Sequence, residues 1–186
     1  MSLEIVLGPM FSGKSTYALS WIRRQRAIGK KVIVIKPDID TRYGEYEYIV
    51  THNQERADCM TWRTTEALNP FILEVIESEC IVLDEAQFLC GIKDFIKYTV
   101  HIHHKQVLIV GLDGDAKQRK FGEILDCIPL STTVTKLNAL CSHCKDGTPA
   151  PFCQRRETAE SNPEQVDVGG SDKYEAVCLK HLSVIQ

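Results

Sequence analysis

The residues best suited to chemistry form a glycine-containing loop near the N-terminus. Residues 8–15 read Gly-Pro-Met-Phe-Ser-Gly-Lys-Ser and match the pattern G-x-x-x-x-G-K-[ST]. In this pattern backbone N–H groups surround phosphate oxygens, the lysine (Lys14) reaches the terminal phosphates, and the Ser15 hydroxyl can bind the magnesium ion that bridges them. The loop therefore predicts a site for a nucleoside triphosphate with Mg2+.

The elements on either side of this loop are those that a phosphate site requires. Residues 3–7 form an apolar run short enough for a strand, and residues 15–28 place Ala18, Trp21 and Ile22 at helical spacing. The N-terminus of that helix would present free N–H groups and a positive partial charge to an anion. This context disfavours the alternative, a chance match in an ordinary glycine turn.

Short apolar runs alternate with longer amphipathic ones up to about residue 137. Residues 31–36, 80–84 and 106–111 are apolar on both faces, which is typical of strands in a parallel sheet covered by helices. Residues 65–78 and 92–100 have helical spacing and are predicted to supply such helices. We therefore predict an α/β fold with a P-loop parallel sheet core in residues 1–137.

An acidic pair, Asp84 and Glu85, follows the apolar run 80–83. An aspartate at the end of a buried strand near a P-loop is the expected outer partner of Mg2+, together with Ser15. The neighbouring glutamate can act as a base, on water in an ATPase or on a substrate hydroxyl in a kinase. The dipeptide alone leaves this choice open, and also allows Glu85 to be a solvated residue at a strand end.

Two pairs of residues near the C-terminus have the spacing of zinc ligands. They are Cys141-x-x-Cys144 and Cys178-x-x-His181, separated by 33 residues. Three thiolates and an imidazole complete a tetrahedron, so we predict a structural Zn2+ that holds together a small domain in residues 138–186. Redox-active or merely buried dithiol turns are the alternative, and His143 competes with His181 as the fourth ligand.

Composition limits the compartment and the partners. The chain has 186 residues, a net charge of −3 and 44% hydrophobic residues. These values predict a globular protein without the basic stripe of a nucleic-acid binder. No apolar stretch has the length of a membrane span and no secretion signal is evident, so we expect a cytoplasmic protein. The scattered Cys59, Cys80, Cys90 and Cys127 are interpreted as buried, unreactive thiols.

Further motifs accompany the P-loop, which extends from Leu7 to Thr16. They are Asp40-Thr41-Arg42-Tyr43, Asp84-Glu85-Ala86-Gln87-Phe88, Gly-Leu-Asp-Gly at 111–114, Gln-Arg-Lys-Phe-Gly at 118–122 and Gly-Gly-Ser-Asp-Lys-Tyr at 169–174. In this order, and with the Cys/His pairs, the chain resembles the type II thymidine kinases, which are small cellular, bacterial and large-virus enzymes. The resemblance runs from about Leu3 to His181 and implies a RecA-like sheet core.

The resemblance implies roles for individual residues. Glu85 would take the proton from the thymidine 5′-hydroxyl as that oxygen attacks the γ-phosphate of ATP, with Lys14 and Arg42 stabilising the phosphates. ATP and Mg2+ would be bound by Gly8, Pro9, Met10, Phe11, Ser12, Gly13, Lys14, Ser15, Thr16, Asp84 and Gln87. Thymidine would be bound by Met10, Phe88, Phe121, Phe152, Arg155, Val166, Asp167, Val168, Gly169 and Tyr174.

Some of these roles have simpler alternatives. Phe88 and Phe121 could be plain core aromatics, and Met10 could fill a gap beside the P-loop. The segment between the zinc pairs resembles the family's lasso, whose main-chain groups bond the base. In the family a hydroxyl commonly stands where this chain has Cys153, and the thiol makes a weaker hydrogen bond.

The resemblance also implies a biological setting. The product would be dTMP, made from thymidine with deoxyuridine as a second substrate, in the salvage of pyrimidine deoxynucleotides for DNA synthesis. It implies dTTP as a feedback inhibitor and a homo-oligomer, a dimer or tetramer. Two rival functions are a P-loop ATPase, which would hydrolyse ATP without nucleoside, and a binding module in which the zinc turns recognise nucleic acid or protein.

Overall fold

A computed structural model describes residues 1–40, 48–50, 56–156, 165–166 and 169–183. The strands are β1 (Ser2–Leu7), β2 (Val32–Pro37), β3 (Tyr48–Val50), β4 (Arg56–Asp58), β5 (Met60–Trp62), β6 (Cys80–Leu83), β7 (Gln106–Gly111), β8 (Thr133–Lys136), β9 (Ala139–Leu140), β10 (Pro149–Ala150), β11 (Phe152–Arg155) and β12 (Tyr174–Val177). The α-helices are α1 (Lys14–Ala27), α2 (Leu73–Glu77) and α3 (Ile92–Ile96). α3 continues into a π-helix at Lys97–Ile102, and 3₁₀ turns lie at Ala86–Phe88, Ile124–Leu130 and Leu179–His181.

The main sheet is parallel and has the order β5-β2-β6-β7-β1-β8. This confirms the predicted α/β class and the strands predicted at residues 3–7, 31–36, 80–84 and 106–111. β7 lies between β1 and β6, so one strand separates the P-loop strand from the strand that precedes the acidic pair. Because the strands are parallel, the segments that follow β1, β2, β6 and β7 all emerge at the same edge of the sheet.

Both faces of the sheet are buried at its central strands, which explains why β6 and β7 are almost continuously apolar. One face carries Ile5, Ile81 and Ile109 and packs against α3 and the turn at Ile124–Leu130. The opposite face carries Val6, Val34, Val82, Leu108 and Val110, which pack against the apolar stripe of α1. This stripe consists of Ala18, Leu19, Trp21 and Ile22. The helix predicted at residues 15–28 is therefore confirmed.

The helix predicted at residues 65–78 is mostly wrong, because only Leu73–Glu77 is helical. Leu68 instead donates its backbone N–H to the Cys90 carbonyl at 2.9 Å, and Ala67 pairs with Cys90 in a parallel bridge. Pro70 disfavours helical backbone at the preceding residue, and the Asn69 side chain accepts the Phe71 N–H at 2.9 Å. The helix predicted at 92–100 is confirmed, and its second half is π-helical.

The C-terminal part consists of short antiparallel pairs around its own apolar cluster. β9 pairs with β10, and β11 pairs with β12. The cluster contains the buried residues Ala139, Ala150, Ala176 and Val177 together with the sulfurs of the Cys pairs. So small an apolar cluster agrees with the expectation that this region needs a metal ion for stability. The boundary between residues 137 and 138 stays a prediction.

Candidate active site and metal centre

The P-loop joins β1 to α1 by backbone conformations that suit glycine. Gly13 is in the left-handed region (φ 83°, ψ 15°) at the start of α1. A Cβ at Gly8 would lie 2.6 Å from the Leu137 carbonyl oxygen, so only glycine fits there. The Ser12 hydroxyl and the Lys14 ammonium both donate to the Pro9 carbonyl, at 2.8 and 2.7 Å. The first N–H groups of α1 have no intrahelical acceptors and can receive phosphate oxygens.

The residues proposed for Mg2+ provide oxygen ligands. Asp84 follows β6 and is buried, with an exposed fraction of 5%. Its N–H donates to the Ile35 carbonyl at 2.9 Å, which places it beside Lys36 at the end of β2. A carboxylate here and the Ser15 hydroxyl at the start of α1 fit the preference of Mg2+ for oxygen. Arg42, the predicted phosphate-binding arginine, lies outside the described residues.

Glu85 occupies an unusual backbone conformation at the end of the same strand. It is a non-glycine residue in the left-handed region (φ 47°, ψ 41°) and its exposed fraction is 8%. The Gln87 amide donates to the Glu85 carboxylate at 2.6 Å and accepts the Leu112 N–H at 2.9 Å. Gln87 therefore connects the carboxylate to the segment after β7 and fixes its orientation.

A cavity of about 840 Å3, including the space at its open mouth, lies beside this carboxylate. Eight residues predicted to act in catalysis or to bind nucleotide or nucleoside line it. They are Met10, Glu85, Gln87, Phe88, Phe121, Arg155, Gly169 and Tyr174. The rings of Phe88 and Phe121 meet edge to face with centroids 5.2 Å apart, and the Arg155 guanidinium lies 5.7 Å from the centre of the Tyr174 ring. The structure thus brings together in one wall aromatic residues that are distant in sequence.

Other predicted substrate residues lie elsewhere or outside the described part of the chain. Phe152 packs against the C-terminal apolar cluster and does not line the cavity. The reason is strand alternation, since Cys153 and Arg155 face the cavity whereas Phe152 and Gln154, at the alternate positions of β11, do not line it. Val166 is exposed and is not part of the cavity wall. Asp167 and Val168 lie outside the described residues.

Part of the cavity wall had no role assigned from the sequence. Apart from Cys153, it comprises Leu112, residues 114–117, Arg119 and Gln165. The Gly-Leu-Asp-Gly motif pointed to this segment, but a turn rich in charged residues looks like an ordinary surface loop in a sequence. Its position after β7, between β6 and β1 in the sheet, is what brings it to the cavity.

Cys153 also lines the cavity, and its thiol is deeply buried. Burial raises the pKa of this thiol to about 11, although a hydrogen bond from the Met10 backbone and the charge of Lys14 act in the opposite direction. The contact with Met10 joins β11 to the P-loop. A thiol with so high a pKa is almost entirely protonated at neutral pH and is a poor nucleophile.

The second predicted centre is a compact Cys/His group. The ligand atoms of Cys141, Cys144, Cys178 and His181 all lie within 4.8 Å of one another. The Cys144 and Cys178 sulfurs are 3.7 Å apart, and the His181 Nδ1 atom is 3.4 Å from each of them. A tetrahedron with metal–ligand bonds of about 2.3 Å has edges of about 3.8 Å, so the four residues fit Zn2+.

His143, the rival fourth ligand, is outside this group. Its Nε2 atom lies 3.0 Å from the Glu175 carboxylate, and its ring stacks on His181 at a centroid distance of 5.2 Å. Glu175 also accepts the Gln154 amide at 3.0 Å and the Ser142 hydroxyl at 3.2 Å. These partners orient the residues around the ligand set, as is usual beside a metal ion.

The fold and the two sites define a P-loop α/β protein in which a phosphate-binding loop and a buried glutamate share one cavity, with a zinc-type centre beside it. A family model described as thymidine kinase matches residues 1–182. The chain therefore belongs to the thymidine kinase family, a family of kinases.

Individual relatives agree with this assignment. A thymidine kinase of Oryza sativa subsp. japonica is 37% identical over 96% of this chain, and this chain spans 65% of its length. A thymidine kinase of Raccoon poxvirus is 37% identical, with 96% of this chain and 94% of the relative covered. The human protein named "Thymidine kinase, cytosolic" is 35% identical over 95% of this chain and 70% of its own length.

Proposed function

We propose that this protein transfers the γ-phosphate of ATP to the 5′-hydroxyl of thymidine, giving dTMP and ADP. The observation that supports this best is the shared cavity, since Met10 of the P-loop and the Glu85 carboxylate line the same wall. Family membership supplies the substrate class. An acceptor hydroxyl bound in the cavity can therefore approach the terminal phosphate of a nucleotide bound at the P-loop.

Glu85 is proposed as the general base. Its carboxylate is buried and held by Gln87, so it can accept the 5′-hydroxyl proton from a fixed direction. As that O–H bond breaks, the oxygen forms its bond to phosphorus and ADP leaves. Loss of such a base typically lowers the rate by about 10² to 10⁴.

The P-loop residues are proposed to hold the triphosphate. Backbone N–H groups from Gly8 to Thr16 would surround the phosphates, and Lys14 would exchange its bond to the Pro9 carbonyl for a phosphate oxygen. Mg2+, bound through Ser15 and Asp84, supplies charge neutralisation to the phosphates when it is present. Arg42 is proposed to contact the same phosphates.

The aromatic wall is proposed to hold the base. Phe88, Phe121 and Tyr174 provide apolar surface for a flat pyrimidine, and Met10 would lie near its 5-methyl group. One methyl group contributes only about 1–3 kcal/mol, so deoxyuridine should also be a substrate. Main-chain groups at residues 166–169 would distinguish the N3–H of thymine from the unprotonated N3 of cytosine, which predicts stronger discrimination against deoxycytidine.

The test is a product assay with zinc-loaded protein, Mg-ATP and thymidine, deoxyuridine, deoxycytidine or no nucleoside. We expect dTMP and dUMP, little dCMP and little ADP in the sample without nucleoside. Formation of ADP without any nucleoside monophosphate would show that the protein acts as the rival ATPase and not as a kinase. Equal rates for thymidine and deoxyuridine across a wide concentration range would contradict the role of Met10.

We further propose a homo-oligomer, a dimer or tetramer, that resides in the cytoplasm, serves nucleotide salvage for DNA synthesis and is inhibited by dTTP. In the described residues, no helix combines the length and apolar character required to cross a bilayer. Light scattering after gel filtration gives the oligomeric state, and inhibition by dTTP in the product assay tests the feedback.

A further inference from the structure

One part of the cavity wall is built around a buried carboxylate. Asp115 lies in the segment after β7 and has an exposed fraction of 7%. Its Oδ1 atom accepts the backbone N–H groups of Lys117 and Arg119, each at 2.9 Å. Its Oδ2 atom accepts the Nε–H of Arg119 at 2.8 Å and forms an ion pair with the Arg119 Nη2 atom at 2.8 Å. Residues 115–119 thereby satisfy the carboxylate within a single loop.

Backbone hydrogen bonds also close this loop. The Asp115 N–H donates to the Arg119 carbonyl and the Gln118 N–H donates to the Asp115 carbonyl, each at 2.9 Å. Burial acts to raise the pKa of Asp115, but the hydrogen bonds from Arg119, Gln165 and Lys117 outweigh it and hold the pKa below its usual range. The loop is therefore a rigid, charged anchor point that does not depend on a distant residue for its shape.

Gln165 approaches this anchor from a remote part of the chain. Its Nε2 atom donates to the Asp115 Oδ2 atom and to the Lys120 carbonyl, both at 3.0 Å. Among the described residues, it is the side-chain partner of Asp115 that comes from outside the loop. Two acceptors on one amide nitrogen fix both the position and the rotation of the side chain.

A hydrogen-bonded turn at residues 170–174 holds the chain a few residues after Gln165. The Gly170 N–H donates to the Asp172 carboxylate at 2.9 Å, and the Gly170 carbonyl accepts the N–H groups of Lys173 and Tyr174. This turn leads directly into β12. Gly169, just before the turn, lines the same cavity as Gln165. Gln165 and the turn that starts at Gly170 are therefore each held by their own hydrogen bonds.

We propose that the Asp115–Gln165 hydrogen bond is a latch that holds Gln165 and the backbone next to it in the cavity wall, in position for the nucleoside. Both residues are positioning residues, because they act through the segment and need not touch the reacting atoms. A segment already held in its binding position loses less conformational freedom when the nucleoside binds, which lowers the nucleoside KM. This inference rests on the proposed kinase function.

The main test is Gln165→Leu, which keeps the approximate size of the side chain and removes the amide. We expect the thymidine KM to rise about three- to tenfold, which corresponds to the loss of one hydrogen bond of typical strength. The ATP KM and kcat should stay within about twofold, because the P-loop and Glu85 are untouched. The control is Ser171→Ala, in the same segment but outside the cavity wall, with no change expected in any of the three values.

A double-mutant cycle separates the latch from independent effects. In Asp115→Asn the remaining side-chain oxygen still accepts the backbone N–H groups of the loop. The new NH2 group, however, faces the N–H donors of Gln165 and Arg119, so the thymidine KM should also rise in this variant. The double variant Asp115→Asn/Gln165→Leu should be no worse than the worse single variant, because one contact is removed twice. A double variant whose increase in thymidine KM equals the product of the two single increases would overturn the latch.

Hydrogen exchange gives a readout that does not need catalysis. Without ligand, Gln165→Leu should speed exchange of the amides in residues 165–174, and the Ser171→Ala control should not. Unchanged exchange and an unchanged thymidine KM would overturn the latch. If the wild-type protein makes no dTMP, the proposed function fails, and the exchange result still shows whether the contact holds the segment.

Discussion

At the residue scale, the buried carboxylate of Glu85 is the group on which the proposed reaction depends. We expect Glu85→Gln to lower kcat about 10²- to 10⁴-fold, because an amide cannot accept the proton. The KM values for ATP and thymidine should change little, since the side chain keeps its size. Steady-state kinetics with both substrates checks this, and circular dichroism controls for folding. A variant with more than a tenth of the wild-type kcat would place the base elsewhere.

The Cys153 thiol belongs to the same scale. Because burial raises its pKa to about 11, it stays protonated from pH 6 to 9 and should resist alkylation in the folded protein. Iodoacetamide treatment at pH 7.5, followed by peptide mapping, should leave Cys153 unmodified while unfolded protein is modified. Cys153→Ser keeps a hydrogen-bonding atom near the Met10 backbone and should retain activity within about threefold. Rapid modification in the native state would contradict the burial argument.

At the element scale, the connections between strands decide where the functional groups point. Gly122 has φ 59°, and a Cβ there would lie 2.2 Å from the Gln87 carbonyl oxygen. Gly122→Ala should therefore displace Gln87, release the Glu85 carboxylate and reduce kcat at least tenfold, besides costing more than about 1 kcal/mol of stability. Kinetics and urea unfolding measure the two effects.

Gly147 provides the matched control for this substitution. It also has a positive φ, 89°, but a Cβ there would meet no heavy atom within 4 Å. Gly147→Ala should cost about 1 kcal/mol from backbone strain alone and leave kcat unchanged. Equal kinetic effects of the two alanines would show that the close approach to Gln87 is unimportant for Glu85.

The elements also show what the sequence could and could not predict. Strands such as β6 and β7 were predictable because they are apolar on both faces, and α1 because its apolar stripe follows a P-loop. Residues 65–72 were wrongly predicted as helix, since their apolar spacing is helical while Asn69-Pro70 and the bridge from Ala67 to Cys90 keep them out of a helix. The contact of Gln165 with Asp115 joins residues 50 positions apart and depends on tertiary structure, so spacing alone could not reveal it.

At the scale of the whole molecule, the metal centre and the cavity share the β11–β12 pair. Cys153, Arg155 and Tyr174 line the cavity, whereas Phe152 and Val177 pack with the Cys/His group. We expect removal of zinc by a chelator to abolish thymidine binding and to preserve ATP binding, because the P-loop rests on the main sheet. Calorimetric titration of each ligand, with zinc content measured in parallel, tests this.

The zinc experiment also tests the proposed boundary at residue 138. Addition of Zn2+ to the chelated protein should restore thymidine binding. Loss of both thymidine binding and ATP binding on chelation would mean that residues 1–137 do not fold independently of the C-terminal part. Retention of thymidine binding without zinc would show that β11 and β12 are held by packing alone.

The left-handed backbone at Glu85 affects which amino acids evolution can favour at this position. For a residue with a Cβ this conformation is disfavoured by about 1 kcal/mol or more, and glycine would occupy it without strain. Glycine would therefore relieve the backbone strain at this position, but it would also remove the carboxylate that accepts the Gln87 amide. The strained conformation is thus linked to the group proposed for turnover, and relief of the strain by glycine is opposed to turnover at this position.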